Sequence, residues 1–327
     1  METYRWAILG CGSIANELAQ AMQRHGRMVS AVANRTHEKA VTFADTYHIP
    51  KTYSTFEDLF HDGEIDIIYI STPHNTHSQY INEALRHGKH VLCEKSITLN
   101  SEELAQAKSL AEQNHLVLAE AMTLYHMPLY KKLQAIIQSG RLGNLRVVQT
   151  NFGSYREYDM GSRFYNPALA GGALLDIGVY ALSFIRWFLS AAPDQVTAQV
   201  KYAQSGVDEQ AGILLMDPAG ELATATLSLH AKQPKRGMAS FDKGYLEIYD
   251  YPRASQATIT YTEDGRQETI SCGDTSDALW YEICDMEQAV SGMGNEMHLD
   301  YTSDVMDVMT KIRKSWGFSY PEESNAR

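Results

Sequence analysis

Residues 7–15 read AILGCGSIA. A short apolar run stops at Gly10, Gly12 follows, and Ser13, Ile14 and Ala15 open a stretch, SIANELAQAMQRHG, with apolar residues at helical spacing. A strand that turns straight into a helix needs a residue without a side chain at the turn. A parallel sheet is the frame in which such units repeat. The repetition is present. MVSAVAN precedes THEKAVTFADTYHI, EIDIIYIST precedes NTHSQYINEALRHG, KHVLCEK precedes NSEELAQAKSLAEQN, and HLVLAEA follows. These β-rich runs separated by helical ones predict an α/β fold, a doubly wound parallel sheet with helices on both faces.

The glycines carry chemistry as well as geometry. Gly10, Gly12 and Ala15 form the G-x-G-x-x-A fingerprint of a dinucleotide site. Gly10 permits the tight turn, and Gly12 lets the backbone approach a pyrophosphate. Ala15 allows close helix–strand packing. The N–H groups of Ser13 and Ile14, at the helix start, face the phosphates. Cofactor choice falls to the end of the second strand, AVANRTHEKA, where an NAD site carries an acidic residue. Asn34, Arg35 and Thr36 stand there instead. An arginine among polar donors suits the 2′-phosphate of NADP. Stacking of Arg35 on the adenine would select neither cofactor, so NADP is favoured and NAD is the alternative.

The pattern changes after about residue 125. The helical PLYKKLQAIIQSG and the glycine-rich LAGGALLDIGVYALSFIRWFL come first. Six β-type segments follow: QVTAQVKYA, EQAGILLMD, ELATATLSLHA, GYLEIYDY, QATITYTED and RQETISC. Turns at DPAG and EDG make this an α+β domain with a large, open, mostly antiparallel sheet. Two helices close the chain. The expected division is residues 1–123 for dinucleotide binding and 124–327 for substrate binding, with the final helix a candidate to pack back on the first domain.

Composition excludes several classes. With 28 basic against 40 acidic residues the formal charge is −12, which argues against a nucleic-acid binder. The four cysteines lack C-x-x-C spacing and the histidines lack H-E-x-x-H spacing, so no metal site is expected, and a reducing cytoplasm is. No signal peptide is visible. The most apolar helix is interrupted by Asp176 and Arg186 and falls short of the ~20 apolar residues of a membrane span.

Four stretches, GCGSIA, DIIYISTPHNTHSQY, HGKHVLCEKSITLN and GGALLDIGVY, occur in an order that resembles the Gfo/Idh/MocA oxidoreductase family. EAMTLYHMPLY and MTKIRKSWGFSYP look most like its dihydrodiol and NADP-dependent D-xylose dehydrogenase branch. The resemblance implies an N-terminal Rossmann domain and a C-terminal domain whose open sheet often makes a dimer interface, so a homodimer or higher homo-oligomer is expected. It also implies hydride transfer between a nicotinamide and a sugar, polyol or cyclic alcohol or diol.

The family's Glu-Lys-Pro, which sets a lysine near nicotinamide and substrate oxygen, is matched by Glu94, Lys95 and Ser96, with serine departing from proline. Hydride transfer at a carbon bearing oxygen needs a proton to move on that oxygen, and Lys95 is expected to pass it or to hold the developing alkoxide with its charge. Asp176 and Tyr180, four apart, share a helix face and match the family's Asp-x-Gly-x-Tyr pattern. Tyr180 is expected to move the substrate proton beside Lys95, and Asp176 to bind a hydroxyl or orient the lysine. The resemblance sets Thr72, Pro73 and Asn75 against the cofactor's ribose and nicotinamide, with Glu94 on the same side. His77 there either caps and packs its helix or contributes chemistry. Glu120 is a further cofactor-side candidate. Arg156, Tyr158, Arg163 and Phe164 either line the substrate pocket or form an exposed polar loop. Two rival functions are an NAD-dependent glycosidase of the same fold and a nucleotide-sensing regulator without catalysis.

Overall fold

The computed structural model describes residues 4–324. The chain begins β1 (Trp6–Leu9), α1 (Ser13–Arg24), β2 (Ala31–Ala33), α2 (His37–Tyr47), β3 (Lys51–Tyr53) and α3 (Phe56–Phe60). It continues β4 (Ile67–Ile70), α4 (His77–Arg86), β5 (His90–Glu94), α5 (Ser101–Gln113) and β6 (Leu118–Ala121). These strands form a six-stranded parallel sheet in the order β3-β2-β1-β4-β5-β6. Every residue of β1, β2 and β4 is buried, as a sheet covered on both faces requires. The strand absent from the sequence expectation is β3. Its three half-buried residues at the sheet edge carry no apolar run to read.

The second part contains α6 (Thr123–His126), α7 (Pro128–Gln138), β7 (Leu145–Gly153), and a π-helical turn (Leu174–Gly178) that continues as α8 (Val179–Phe188). Strands β8 (Gln195–Tyr202), β9 (Asp208–Met216), β10 (Leu222–Ser228) and β11 (Gln233–Phe241) follow. Then come β12 (Gly244–Tyr249), β13 (Gln256–Tyr261), β14 (Gln267–Ser271), α9 (Ala278–Val290) and α10 (Leu299–Ser315). The sheet has eight strands, ordered β14-β13-β12-β11-β7-β10-β9-β8. All neighbours are antiparallel except β7 and β10, which run parallel.

The sequence reading of about six strands missed β7 and β11, which lie side by side in the middle of this sheet. β11 reads QPKRGMASF, whose proline, charges and glycine disguise a strand. Gly237 is a packing notch, since a Cβ there would lie 2.3 Å from the Phe184 ring of α8. By length and composition alone, residues Pro167–Phe188 would pass as a membrane span, which corrects the earlier reading. With 83% of its most apolar stretch buried, this is instead the core helix of its unit.

Two compact units result, and chain order does not divide them. The first takes the chain through Thr98, then Glu102–Ala121, and Leu279–Leu299. It is therefore α9, late in the sequence, that completes the dinucleotide fold. Trp6 Nε1 donates to Glu287 Oε1 at 2.8 Å, Arg27 pairs with the same carboxylate at 2.6 Å, and His25 stacks on Trp280. The second unit takes Leu99–Ser101, Met122–Ala278 and the chain from Asp300, including α10.

Candidate active site

The candidate residues fall into two groups, one on each unit. In the first unit the glycine turn comes first. Gly10 has φ +100°, and a Cβ there would lie 3.0 Å from the Ser71 carbonyl oxygen, so both backbone and space demand glycine. Its N–H donates to Ala33 O at 2.9 Å, tying the turn to β2. Gly12 is the N-cap of α1 and offers no side chain to the first-turn N–H groups of that helix. A Cβ at Gly12 would meet no protein atom within 4 Å. Ser13 is exposed, Ile14 half-buried and Ala15 fully buried. A turn this open, before a helix start this bare, fits a pyrophosphate.

Asn34 has a role that the motif alone did not show. Its Oδ1 accepts from Cys11 N at 3.3 Å and its Nδ2 donates to Thr36 O at 3.0 Å, so it braces the glycine turn against the end of β2. Arg35, next in sequence, is exposed. After β4, Thr76 Oγ1 meets Thr72 Oγ1 at 2.8 Å and donates to Pro73 O at 2.7 Å, which fixes the loop of Thr72, Pro73 and Asn75.

Lys95 sits on a turn held at three backbone points. Glu94 Oε2 accepts from Lys95 N at 3.2 Å, while its other oxygen accepts from the Tyr69 hydroxyl on β4. His77 Nδ1 faces Ser96 O at 2.9 Å. Glu120 Oε1 accepts from Ile97 N at 3.0 Å. The peptide between Lys95 and Ser96 is cis, at the position where the family pattern has proline. Lys95 itself is half-buried while Ser96 and Ile97 are buried. Glu94 thus closes the apolar strand and brackets the turn that follows it.

His77 is fully buried and joins two loops, since its Nε2 also faces Thr72 O at 2.8 Å. Burial pulls its pKa down, against the two backbone carbonyls that favour the charged ring. A neutral imidazole has one N–H, so it donates to only one of those carbonyls at a time. Glu120, read from sequence as a cofactor-side group, is buried beneath the turn and acts as its anchor. The signal for both was a polar side chain at the end of, or just after, an apolar strand. Its partner was invisible until the strands were laid side by side.

In the second unit Asp176 lies in the π-helical turn and Tyr180 in the first turn of α8. Such turns recur at functional sites, because the widened backbone re-aims a side chain. Asp176 is buried and accepts from Arg163 at 3.4 Å. Tyr180 is half-buried, with its ring 6.0 Å from that of Phe152. The guanidinium groups of Arg156 and Arg163 lie 4.1 and 4.2 Å from the Phe164 ring centre, which makes the loop a cationic platform beside Asp176. Tyr158 donates to the buried Glu209, which also pairs with Lys201 at 3.0 Å.

Sequence reasoning missed Asp208. It is fully buried and its Oδ2 accepts from Leu174 N at 2.6 Å, at the start of the turn that carries Asp176. Burial pushes its carboxyl up to about 7, with the backbone donors and Arg313 opposing. Gly172, at φ +127°, admits it, since a Cβ there would lie 2.2 Å from Asp208 Oδ1.

Two sheets of this topology, with a glycine turn, a strand-end lysine and an Asp/Tyr helix, define a nicotinamide-dependent oxidoreductase of the Gfo/Idh/MocA type. Residues 4–122 match that family's model, described as an oxidoreductase family with an NAD-binding Rossmann fold, and residues 130–249 match its C-terminal domain. The chain belongs to this family and is an NAD(P)-binding oxidoreductase. Among curated relatives it is 32% identical to a trans-1,2-dihydrobenzene-1,2-diol dehydrogenase of Bos taurus, over 98% of this chain and 99% of that one. The enzyme of the same name from Oryctolagus cuniculus is 32% identical over 97% of this chain and all of its own length. Of solved structures, a 3-ketoreductase from Actinomadura kijaniata in complex with NADP and TDP-benzene superposes with a TM-score of 0.85 at 21% identity, covering 96% of this chain and 98% of that one. An aldose–aldose oxidoreductase from Caulobacter crescentus complexed with glycerol gives 0.85 at 23%, covering 96% and 97%. At those identities the structural likeness speaks for the fold.

Proposed function

We propose that this protein is an NADP-preferring dehydrogenase or reductase acting on the CH–OH group of a sugar, polyol or cyclic diol. The carrying observation is the bracketed turn. Three backbone points hold the turn that carries Lys95. In this reading Gly10, Gly12 and the N–H groups of Ser13 and Ile14 hold the pyrophosphate, and Thr72, Pro73 and Asn75 line the nicotinamide side. The bound cofactor supplies a nicotinamide carbon that takes or gives hydride. Lys95 Nζ moves the proton at the substrate oxygen or holds its developing charge, with Tyr180 as the second proton donor or acceptor. Asp176 accepts from a substrate hydroxyl, and Arg156 and Arg163 bound the pocket. The diol dehydrogenases and the aldose oxidoreductase among the relatives support an alcohol with further hydroxyls nearby.

Arg35 carries the NADP preference. Its exposed guanidinium follows the strand end where an acidic residue would repel a 2′-phosphate. Arg35→Ala is expected to weaken NADPH binding roughly ten- to a hundredfold, the scale of a lost charged hydrogen bond, and leave NADH binding alone. Fluorescence titration with each cofactor reads it. Equal weakening of both would reduce Arg35 to an adenine-stacking residue.

The same reading makes the protein a dimer through the eight-stranded sheet. The face turned away from α8 carries Val147, Leu214, Leu222, Met238, Tyr245 and Tyr249, with Leu214 and Tyr249 exposed. A second copy laid on it isologously would cover this patch. Leu214→Lys is expected to convert the dimer to monomer in light scattering. A wild-type protein that is already monomeric, or a variant of unchanged mass, contradicts the interface.

A further inference from the structure

Sequence spacing showed no metal motif, yet the fold brings His87 up to a Glu57/His61 pair on another helix. Glu57 and His61 stand four apart at α3, with His61 as its C-cap, and His87 is the C-cap of α4. One ligand atom from each lies within 4.8 Å of the others. Glu57 Oε1 is 3.3 Å from His61 Nδ1 and 3.9 Å from His87 Nε2, and the imidazole centres are 4.5 Å apart, edge to face.

The tautomers follow from the backbone. His61 Nδ1 meets Glu57 O at 2.9 Å and His87 Nδ1 meets Glu83 O at 2.8 Å. A carbonyl oxygen only accepts, so each ring carries its proton on Nδ1 and leaves the lone pair on Nε2, which on His87 is the nitrogen 3.9 Å from Glu57 Oε1. That is the state a metal-bound histidine adopts, with the second nitrogen fixed by a backbone carbonyl. The rings are also held in place. Phe60 stacks on His87 at 5.9 Å, and Phe56 packs edge-on against Tyr80 at 4.8 Å, so α3 and α4 already face each other without the ion.

We infer that Glu57, His61 and His87 form a surface site for one divalent cation of the zinc class, clipping α3 to α4. Two imidazoles and one carboxylate are the donor set such a cation takes, with water completing four-coordination. Magnesium, which prefers oxygen donors, is the poor match. Glu57 and His61 are exposed and His87 half-buried, so entry from solvent needs no opening of the fold.

The test is calorimetric titration of chelator-stripped full-length protein with zinc chloride, alongside thermal melts. Wild type is expected to bind one equivalent, to melt higher with zinc, and to ignore magnesium. His61→Ala and Glu57→Gln change exposed positions and leave the fold intact, so each is expected to weaken zinc binding by roughly tenfold or more and to abolish the melting shift. His87→Ala removes the bridge to α4 as well. No zinc uptake by wild type overturns the site. So does zinc uptake that His61→Ala and Glu57→Gln leave unchanged, because the ion would then lie on other side chains.

Discussion

Lys95→Ala is expected to lower kcat by about 10²–10⁴-fold, the range for loss of a positioned acid or base, with NADPH affinity and melting temperature near wild type. The separation of effects follows from how the turn is built. Glu94 Oε2, His77 Nδ1 and Glu120 Oε1 meet backbone atoms of Lys95, Ser96 and Ile97, and those three contacts survive truncation of the lysine. The measurement is steady-state turnover with a panel of aldoses and cyclic diols, run beside a cofactor titration and a melt. Turnover close to wild type would return Lys95 to a charged residue at a strand's exit. It would also favour the regulator over the enzyme.

Glu120→Ala is the second large effect, and it acts on the same lysine from below. The carboxylate is buried and accepts from Ile97 N. Alanine leaves that buried N–H without its acceptor, a cost of about 1–3 kcal/mol before any cavity term. A loss of that size lowers the melting temperature by several degrees in a chain this long. It also loosens the turn, so kcat is expected to fall while cofactor affinity holds. Glu120→Gln keeps an oxygen in place and should restore both stability and turnover. That rescue separates positioning from mere packing. If glutamine fails as alanine does, the charge of Glu120 matters and the anchoring account is wrong. If alanine is harmless, the bracket does not depend on it.

What could be read from sequence was whatever is local. Gly10 needs its conformation because of the turn it makes, and Ala15 its size because of the strand beneath it. The period-two and helical runs of the first 121 residues report burial on one or both faces, so the parallel sheet was legible apart from its three-residue edge strand. The second sheet was legible only where alternation was clean. β7 and β11 escaped because Arg146, Gln149, Lys235 and Gly237 interrupt their apolar positions, and the reasons for them are distant in sequence: Arg146 pairs with Asp242 and Gly237 makes room for Phe184 of α8.

The site divides the same way. Lys95, Asp176 and Tyr180 were visible as polar residues that break apolar elements without a local reason. Their supports were not. His77 finds Ser96 19 positions away, Glu120 finds Ile97 23 away, and Asp208 finds Leu174 34 away. Glu57 and His61 are neighbours on one helix, but His87 meets them only because two helices of the first unit pack together. By itself the sequence determined which segments are strand or helix and which residues are chemically out of place, since those depend on neighbours along the chain. Only the tertiary structure decided which distant carbonyl, N–H or ring each of those residues meets, because hydrogen bonds and ligand geometry act over about 3 Å in space and carry no trace in residue spacing.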